Sequence, residues 1–200
     1  MTTRAAVRGL IGVLASVSPL ACGQTLQTVT TTSHLAAIVR RIGGDAVPVT
    51  VLIPAGECPG HFDMRPGDRL AIEKGDLILA HGWETVLPQV QTATARGALH
   101  RIDVKGNWLV PSVQKEAARL VCAILSEKLP GRAGGFEANL RDYTTQMDAL
   151  DAEARQRVRT AGLAGCPVIC QAMIADFLSF LGLKVVATYG RGEEMTPLSL

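Results

Sequence analysis

The feature that most constrains the fold is a long helical pattern from Phe136 to Ala161, which contains neither glycine nor proline. Apolar residues recur in it at alternating steps of four and three, with charged residues between them. This spacing is typical of an amphipathic α-helix. A helix of roughly 25 residues would be about 38 Å long, which is long for a globular domain. The pattern therefore predicts either one arm of a helical hairpin or a rigid strut that joins two lobes.

Before this helix, short β-branched or apolar segments alternate with helical segments. The predicted strands are QTVTTT, VPVTVLI and LILAHG, and the helices between them are SHLAAIVRRIGGD and PGDRLAIEKGD. In the first helix, Ser33 is the expected N-cap and Gly43-Gly44 the end. Another helix follows, with Ser112 as its expected N-cap and Pro130-Gly131 as its end. This strand–helix order predicts a parallel sheet with helices on both faces.

After the long helix the alternation resumes. The predicted strands are CPVICQ and LKVVATYG, with a helix, AMIADFLSFLG, between them. Thr196-Pro197 has the pattern of a further helix start. A lobe with only two strands is incomplete, so we expect the chain to be a fragment, or a truncated product, of a longer protein.

The predicted fold class is therefore α/β: two parallel-sheet βα lobes joined by one long backbone helix, with the second lobe incomplete. The N-terminal lobe is expected at residues 24–134, the linking helix at 135–163 and the partial C-terminal lobe at 164–200. Such an arrangement predicts a ligand site between the lobes, beyond the carboxyl ends of the parallel strands.

Residues 1–23 have the layout of a secretory signal peptide. Arg4 and Arg8 precede a short apolar stretch, Gly9–Val17, and small residues follow it. The apolar stretch is shorter than the about 20 residues that span a bilayer. Two processing routes stay open, namely cleavage after Gly23 and lipid modification of Cys22 as the first residue of a bacterial lipoprotein. We expect a periplasmic protein, or one at the outer face of the cytoplasmic membrane; the structural alternative is an ordinary N-terminal helix.

Composition narrows the classes of partner. Apolar residues make up 48% of the chain and charged residues 19%, which is enough for a packed core. The net charge is only +2 and no basic run appears, so the sequence does not favour nucleic-acid binding. Of the five cysteines, Cys122 is expected to be a buried small hydrophobe. Cys166 and Cys170 would share one face of a strand, too far apart for an easy local disulfide.

The loop after the second predicted strand, in VLIPAGECPGHFD, carries residues of the kind that bind metals. Cys58 and His61 lie three residues apart across a Pro-Gly turn. A thiolate and an imidazole at this spacing can bind one borderline ion such as zinc. Glu57 and Asp63 could add oxygen ligands or orient the imidazole. The alternative is a plain surface loop.

Polar residues at the other strand ends extend this candidate site. They are His81 beside Trp83 and Glu84, Asn107 before WLVP, Cys170 and Gln171 after VI, and Glu193 and Glu194 after the last strand. Each also has a structural interpretation: His81 as a core histidine, Cys170 as a packing residue, and the two glutamates as solvated acids near a helix start. If the long helix joins the lobes, these residues face one cleft.

These segments together resemble the solute-binding proteins of bacterial and archaeal ABC importers for zinc and manganese, in which one rigid helix joins two lobes. The resemblance extends from about Val29 to the last residue. The segments that carry it are TVTTTSHLAAIVRRIGGD, VLIPAG, GDLILAHG, NWLVPS, FEANLRDYTTQMDALDAE and GLKVVATYGRGEEMTP. The family loop has Asp-Pro-His followed by an aromatic and an acid or polar residue. CPGHF stands in that place, so His61 takes the position of the first metal histidine, as in a subgroup with this Cys-Pro-Gly-His-Phe loop.

The resemblance also implies positions for the other metal ligands. Asn107 lies near the position of the family's second histidine, and Gln171, with Cys170 adjacent, lies near that of the third ligand. The fourth ligand, usually an acid, would lie beyond Leu200, and Glu194 is the late acid within this chain. The candidate metal ligands are therefore His61, Cys58, Gln171, Cys170, Asn107 and Glu194.

The resemblance implies a function without chemical transformation: capture of a divalent metal ion, zinc or manganese, for an ABC importer. The implied partners are the permease and ATPase subunits, with membrane contact only through a lipid anchor at Cys22. One alternative is a degenerate or redirected module whose amides, Asn107 and Gln171, bind a non-metal ligand or a metal complex, since neutral amides are poor zinc ligands. A further alternative is a thiol enzyme, with Cys58 as nucleophile and His61 as base.

Overall fold

The computed structural model describes residues 25–94 and 98–190. The strands of these residues are β1 (Thr28–Thr32), β2 (Val49–Ile53), β3 (Leu77–Ala80), β4 (Ala98–Arg101), β5 (Pro167–Gln171) and β6 (Lys184–Tyr189). The α-helices are α1 (Ser33–Gly43), α2 (Pro66–Lys74), α3 (Leu87–Ala93), α4 (Pro111–Lys128), α5 (Ala133–Thr160) and α6 (Ala175–Phe180). Residues 1–23, predicted to be a signal peptide, with Cys22, the pair Glu193 and Glu194, and Thr196-Pro197 lie outside the described residues.

The first lobe contains a parallel sheet with the strand order β2-β1-β3-β4. Its central strand β3 is buried on both faces, because Leu77 and Leu79 enter one hydrophobic cluster and Ile78 enters the other. This alternation is the period of two that a strand imposes on its side chains. The predicted parallel sheet with helices on both faces is confirmed.

Two separate clusters form the core of this lobe. The larger lies under α1, α4 and the start of α5, and includes Leu35, Ile42 and Leu125. The smaller lies under α2 and α3 and includes Ile72 and Val90. Cys122 is 4% exposed within the larger cluster, as the sequence predicted, and burial raises the pKa of its thiol. This core holds the loops at the sheet edge on a rigid base.

The long helix α5 has 28 residues, or about 42 Å of axial length. Its first half packs against the first lobe: Phe136 and Tyr143 are buried, and the Nδ2 of Asn139 donates to the carbonyl of Ile42 at 2.8 Å. The Tyr143 hydroxyl donates to the Oε1 of Gln114 on α4 at 2.9 Å. The helix is thus one arm of a helical hairpin with α4 and, further along, the link to the second lobe.

The second half of α5 is held by local charge pairs instead of a core. Arg155 pairs with Asp151 and Arg157 with Glu153, each at 2.5 Å and one helical turn apart. Such exposed pairs add only a few tenths of a kcal/mol each, about 0.3–0.5. No helix of the described residues combines the length and apolar character needed to cross a bilayer.

The described part of the second lobe is a parallel pair, β5 and β6, connected through α6. Its strands are much more exposed than those of the first lobe, with Ile169 68% and Val186 52% accessible to solvent. The two lobes and the linking helix confirm the predicted fold class.

Several local predictions were wrong. Thr32, not Ser33, caps α1, since its extended backbone lets its Oγ1 accept from the backbone N of Leu35 at 3.3 Å. Helix α4 begins at Pro111 with Val110 in the cap position, so Ser112 lies inside the first turn. Helix α3 and strand β4, with only seven and four residues, were not predicted.

The packing of α1 against the segment that follows it gives a stability prediction. A Cβ on Gly43 would lie 2.6 Å from the Cβ of Val47, whereas a Cβ on Gly67 in α2 would meet nothing within 4 Å. We expect Gly43→Ala to lower the free energy of unfolding by about 1–3 kcal/mol through overpacking. Gly67→Ala should raise it by up to about 1 kcal/mol. Urea denaturation measures both, and equal effects would contradict the packing argument.

Candidate functional site

A cleft of about 460 Å³ lies between the lobes. Its lining residues lie at or beyond the carboxyl ends of parallel strands, which is where α/β sheets bind ligands. These residues are Thr32 at the end of β1 and His34 after it, Pro59 after β2, His81 and Trp83 after β3, Gly106, Asn107, Trp108 and Leu109 after β4, and Gln171 at the end of β5 with Met173 and Ile174 after it.

Asn107 links the two lobes across this cleft. Its Nδ2 donates to the carbonyl of Met173 in the second lobe, and its Oδ1 accepts from the backbone N of Leu109 at 2.8 Å. The side-chain amide therefore fixes the loop before α4 and ties it to the loop after β5. Its best-defined role in the structure is to position the lobes.

His81 is a buried imidazole in the cleft wall, only 3% exposed. Its Nε2 lies 2.8 Å from the Oγ1 of Thr32, while its Nδ1 is buried and has no hydrogen-bond partner within the described part of the chain. The Trp108 ring meets it edge-on at 4.1 Å between centroids, and the Trp83 ring lies at 5.1 Å. The imidazole is thus held between two tryptophans.

The charge state of His81 follows from this environment. Burial lowers its pKa from 6.5 to about 4, and this effect outweighs the nearby carboxylate of Glu84, which raises the pKa. The proximity of His34 lowers the pKa further. His81 is therefore a neutral imidazole at neutral pH, and its Nδ1 has no hydrogen-bond partner among the residues that the structure describes.

Glu84 fixes the loop that carries His81. Although buried, its carboxylate accepts hydrogen bonds from the Thr31 hydroxyl and from the backbone N of His81 and of Gly82, the latter two at 2.8 Å. Burial alone would raise the pKa of Glu84, but these hydrogen bonds outweigh it and lower the pKa. The ionised side chain thereby joins the end of β1 to the end of β3.

The Cys-Pro-Gly-His loop stands beside the cleft and contributes Pro59 to its lining. The backbone N of His61 donates to the carbonyl of Cys58 at 3.0 Å, which closes the turn. The Thr85 hydroxyl donates to the carbonyl of Pro59 at 3.1 Å and holds the loop to the segment after β3. Cys58 is an exposed free thiol, and the Glu57 carboxylate pairs with Arg65 at 3.1 Å.

The sequence-predicted metal ligands are only partly brought together. Asn107 and Gln171 line the cleft, Cys170 is buried at 4% exposure, and Cys58 and His61 are exposed on the neighbouring loop. Glu194 lies outside the described residues. Within residues 25–94 and 98–190, no group of three His, Cys, Asp or Glu side chains is placed to hold a metal ion.

Two lining residues, His34 and Trp108, were not singled out from the sequence. His34 directly follows β1 in the first turn of α1, and Trp108 follows Asn107 in the loop before α4. Both lie next to a predicted strand or helix end, and this position could have marked them as candidate site residues. The described lining of the cleft contains no carboxylate, thiol, lysine or arginine.

Fold and cleft together define a class: two-lobed α/β binding proteins with one continuous linking helix. The solved structures that the chain resembles have this fold. A crystal structure of ZnuA matches with a TM-score of 0.76 and 21% identity, over 88% of this chain and 74% of that one. The periplasmic zinc-binding protein TroA from Treponema pallidum matches with a TM-score of 0.74 and 20% identity, over 88% and 71%.

The chain belongs to the family of the periplasmic zinc-uptake complex component A, ZnuA, whose model matches residues 28–199. Among its relatives, a protein of Streptococcus anginosus named manganese ABC transporter substrate-binding lipoprotein PsaA is 28% identical over 161 residues, 68% of this chain and 52% of that protein. The metal ABC transporter substrate-binding lipoprotein ScbA of Streptococcus cristatus is 28% identical over 160 residues, 66% and 51%. The chain thus spans about half the length of the relatives it matches.

The burial of His81 predicts a pH-dependent stability. An unfolded imidazole takes up a proton near 6.5, whereas the folded protein does so only near about 4. Between these values the unfolded state binds more protons, so acidification lowers the free energy of unfolding. We expect His81 to cause a loss of about 2 kcal/mol between about pH 7 and about pH 5.

Urea denaturation of the wild type and of His81→Phe at both pH values measures this contribution. Phenylalanine keeps a ring between the tryptophans but cannot titrate, so the variant should lose about 2 kcal/mol less than the wild type on acidification. Equal losses in the two proteins would contradict the assignment to His81.

Proposed function

We propose that the protein is an exported solute-binding component that captures a divalent metal, zinc or manganese, for an ABC importer. The observation that carries this proposal is the cleft between two parallel-sheet lobes in a chain of the ZnuA family. The names of its relatives, manganese and metal ABC transporter substrate-binding lipoproteins, support it. The family description is of an uptake component, which supports a role without chemical transformation.

Export and assembly are part of the same proposal. Residues 1–23 would direct the chain across the cytoplasmic membrane, and a lipid on Cys22 would keep it at the outer face. A permease subunit would then receive the metal and an ATPase subunit would drive its import. The lipoprotein relatives support this location.

The residues of the cleft would act by binding and by position. Neutral imidazoles are good ligands for zinc, and His34 and His81 line the cleft while His61 stands on the adjacent loop. Gln171 faces the cleft from the second lobe. Because α5 is continuous and Asn107 bonds to Met173, ligand release would require only small movements of the lobes.

One observation favours a second candidate, a redirected binding module of the same fold that takes an organic ligand without metal. The described cleft lining offers amides and imidazoles but no anionic side chain. A thiol enzyme has less support, because Cys58 is exposed on the loop and is not among the residues that line the cleft.

Metal retention tests the main proposal. After incubation in bacterial growth medium that contains zinc and manganese, the desalted wild type should carry about one equivalent of metal by elemental analysis. Retention should fall at about pH 5, because ligands must be deprotonated to bind. His61→Ala should weaken retention by about tenfold or more if the loop histidine is a ligand.

The matched control is Glu73→Gln, which alters a surface pair with Arg69 on α2 and should retain metal like the wild type. A wild-type protein that emerges without metal would reject the proposed function. Metal retained equally by His61→Ala would remove His61 from the site and leave the function standing.

A further inference from the structure

The loop before α4 carries two side chains that shape the cleft. Asn107 bonds to the carbonyl of Met173 in the second lobe, and the Trp108 ring meets His81 edge-on at 4.1 Å between centroids. The two residues are consecutive, so one backbone conformation sets both contacts. That conformation is a demanding one, because Gly106 has a φ of 104°, which residues with a side chain rarely adopt. Any group that holds this backbone therefore acts on the cleft.

Gln114 is such a group. It lies half-buried near the start of α4, and its Nε2 donates to the carbonyl of Trp108 at 2.8 Å. Because a backbone carbonyl can only accept, the side-chain amide must present its NH2 group to Trp108. The Oε1 of the same amide is then left to accept a hydrogen bond from another part of the structure.

The linking helix α5 supplies that donor. The hydroxyl of Tyr143 donates to the Oε1 of Gln114 at 2.9 Å, and the tyrosine is itself buried, at 7% exposure. Burial raises the pKa of Tyr143 by more than the nearby Arg41 lowers it, so the hydroxyl keeps its proton at neutral pH. A directional relay thus runs from Tyr143 through Gln114 to the backbone of Trp108, and hydrogen bonds in such a chain strengthen one another.

We propose that Gln114, held by Tyr143, is a positioning residue of the cleft: through the Trp108 carbonyl it fixes the tryptophan wall against His81, and thereby the affinity of the site. Gln114 and Tyr143 are not among the described residues that line the cleft, so they act on it through Trp108. The linking helix therefore also sets the shape of the site between the lobes that it joins. The effect on ligand affinity rests on the proposed function, whereas the effect on Trp108 does not.

Tryptophan fluorescence reports on this relay, because the chain has two tryptophans and Trp83→Phe leaves Trp108 as the only one. In this background, acrylamide quenching measures how accessible the Trp108 ring is to solvent. Gln114→Leu should raise the quenching constant about twofold, because a loop freed from its tie opens more often. Gln114→Glu has nearly the same size and should raise it as much, since an ionised carboxylate cannot donate to the Trp108 carbonyl.

A double-mutant cycle tests the connection to the linking helix. Tyr143→Phe keeps the buried ring and removes only the donor, so it should raise the quenching constant by less than Gln114→Leu. Added to Gln114→Leu, it should have no further effect, because the two residues act in one chain of hydrogen bonds. The matched control is Gln146→Leu, which removes an α5 amide that accepts from Arg41 on α1. Its quenching constant should equal that of the parent protein.

Zinc affinity, measured by competition with a fluorescent indicator on proteins that keep both tryptophans, completes the test. Gln114→Leu should bind zinc about fivefold more weakly than the wild type, the scale of one lost hydrogen bond. Gln146→Leu should bind zinc like the wild type, because its amide has no part in the relay.

The outcomes separate this inference from the proposed function. Unchanged quenching of Trp108 in both Gln114 variants would overturn the inference, as would an unchanged zinc affinity in Gln114→Leu. Additive effects of Tyr143→Phe and Gln114→Leu would overturn the role of the linking helix. A wild type that binds no zinc would reject the proposed function, and the quenching results alone would then decide the inference. If the Gln114 variants do not fold, as judged by circular dichroism, Tyr143→Phe decides it.

Discussion

The site depends above all on the buried carboxylate of Glu84. By accepting from the Thr31 hydroxyl and from two backbone N–H groups after β3, it joins the ends of the two central strands of the first sheet. Thr32 ends one of these strands and His34 follows it, and His81 and Trp83 follow the other. A charge that is buried but satisfied by several hydrogen bonds rigidifies its surroundings. Glu84 therefore fixes the relative positions of the residues that form one wall of the cleft without lining the cleft itself.

The opposite wall depends on a different constraint. Helix α5 shares its first half with the core of the first lobe and extends its second half, held by charge pairs, to β5. One continuous helix allows little bending between the lobes, and the Asn107–Met173 hydrogen bond closes the gap at the cleft. The lobes are thus held at both ends of the cleft, which suits a site whose shape exists before the ligand arrives.

The sequence predicted the fold better than the site, for physical reasons. Strand and helix periods reflect burial, so β1–β3 and the linking helix could be predicted from Thr28, Leu77 or Phe136 and their neighbours. The presence of metal-binding residue types in a loop does not show where their side chains point. Cys58 and His61 drew attention through their types, whereas His34 was overlooked because one histidine in a helical segment carries no pattern. Glu84 was noticed only as a neighbour of His81, since its hydrogen bonds to β1 are contacts between distant parts of the chain.

Asn107 and the apolar walls together determine the chemical character of the cleft. The amide of Asn107 is engaged with Met173 and Leu109 and serves to hold the lobes. That amide is therefore committed to structure, and the amide of Gln171 is neutral. The described lining of the cleft places two imidazoles between tryptophan and aliphatic walls. Such walls contribute binding energy to a ligand that has an apolar surface of its own.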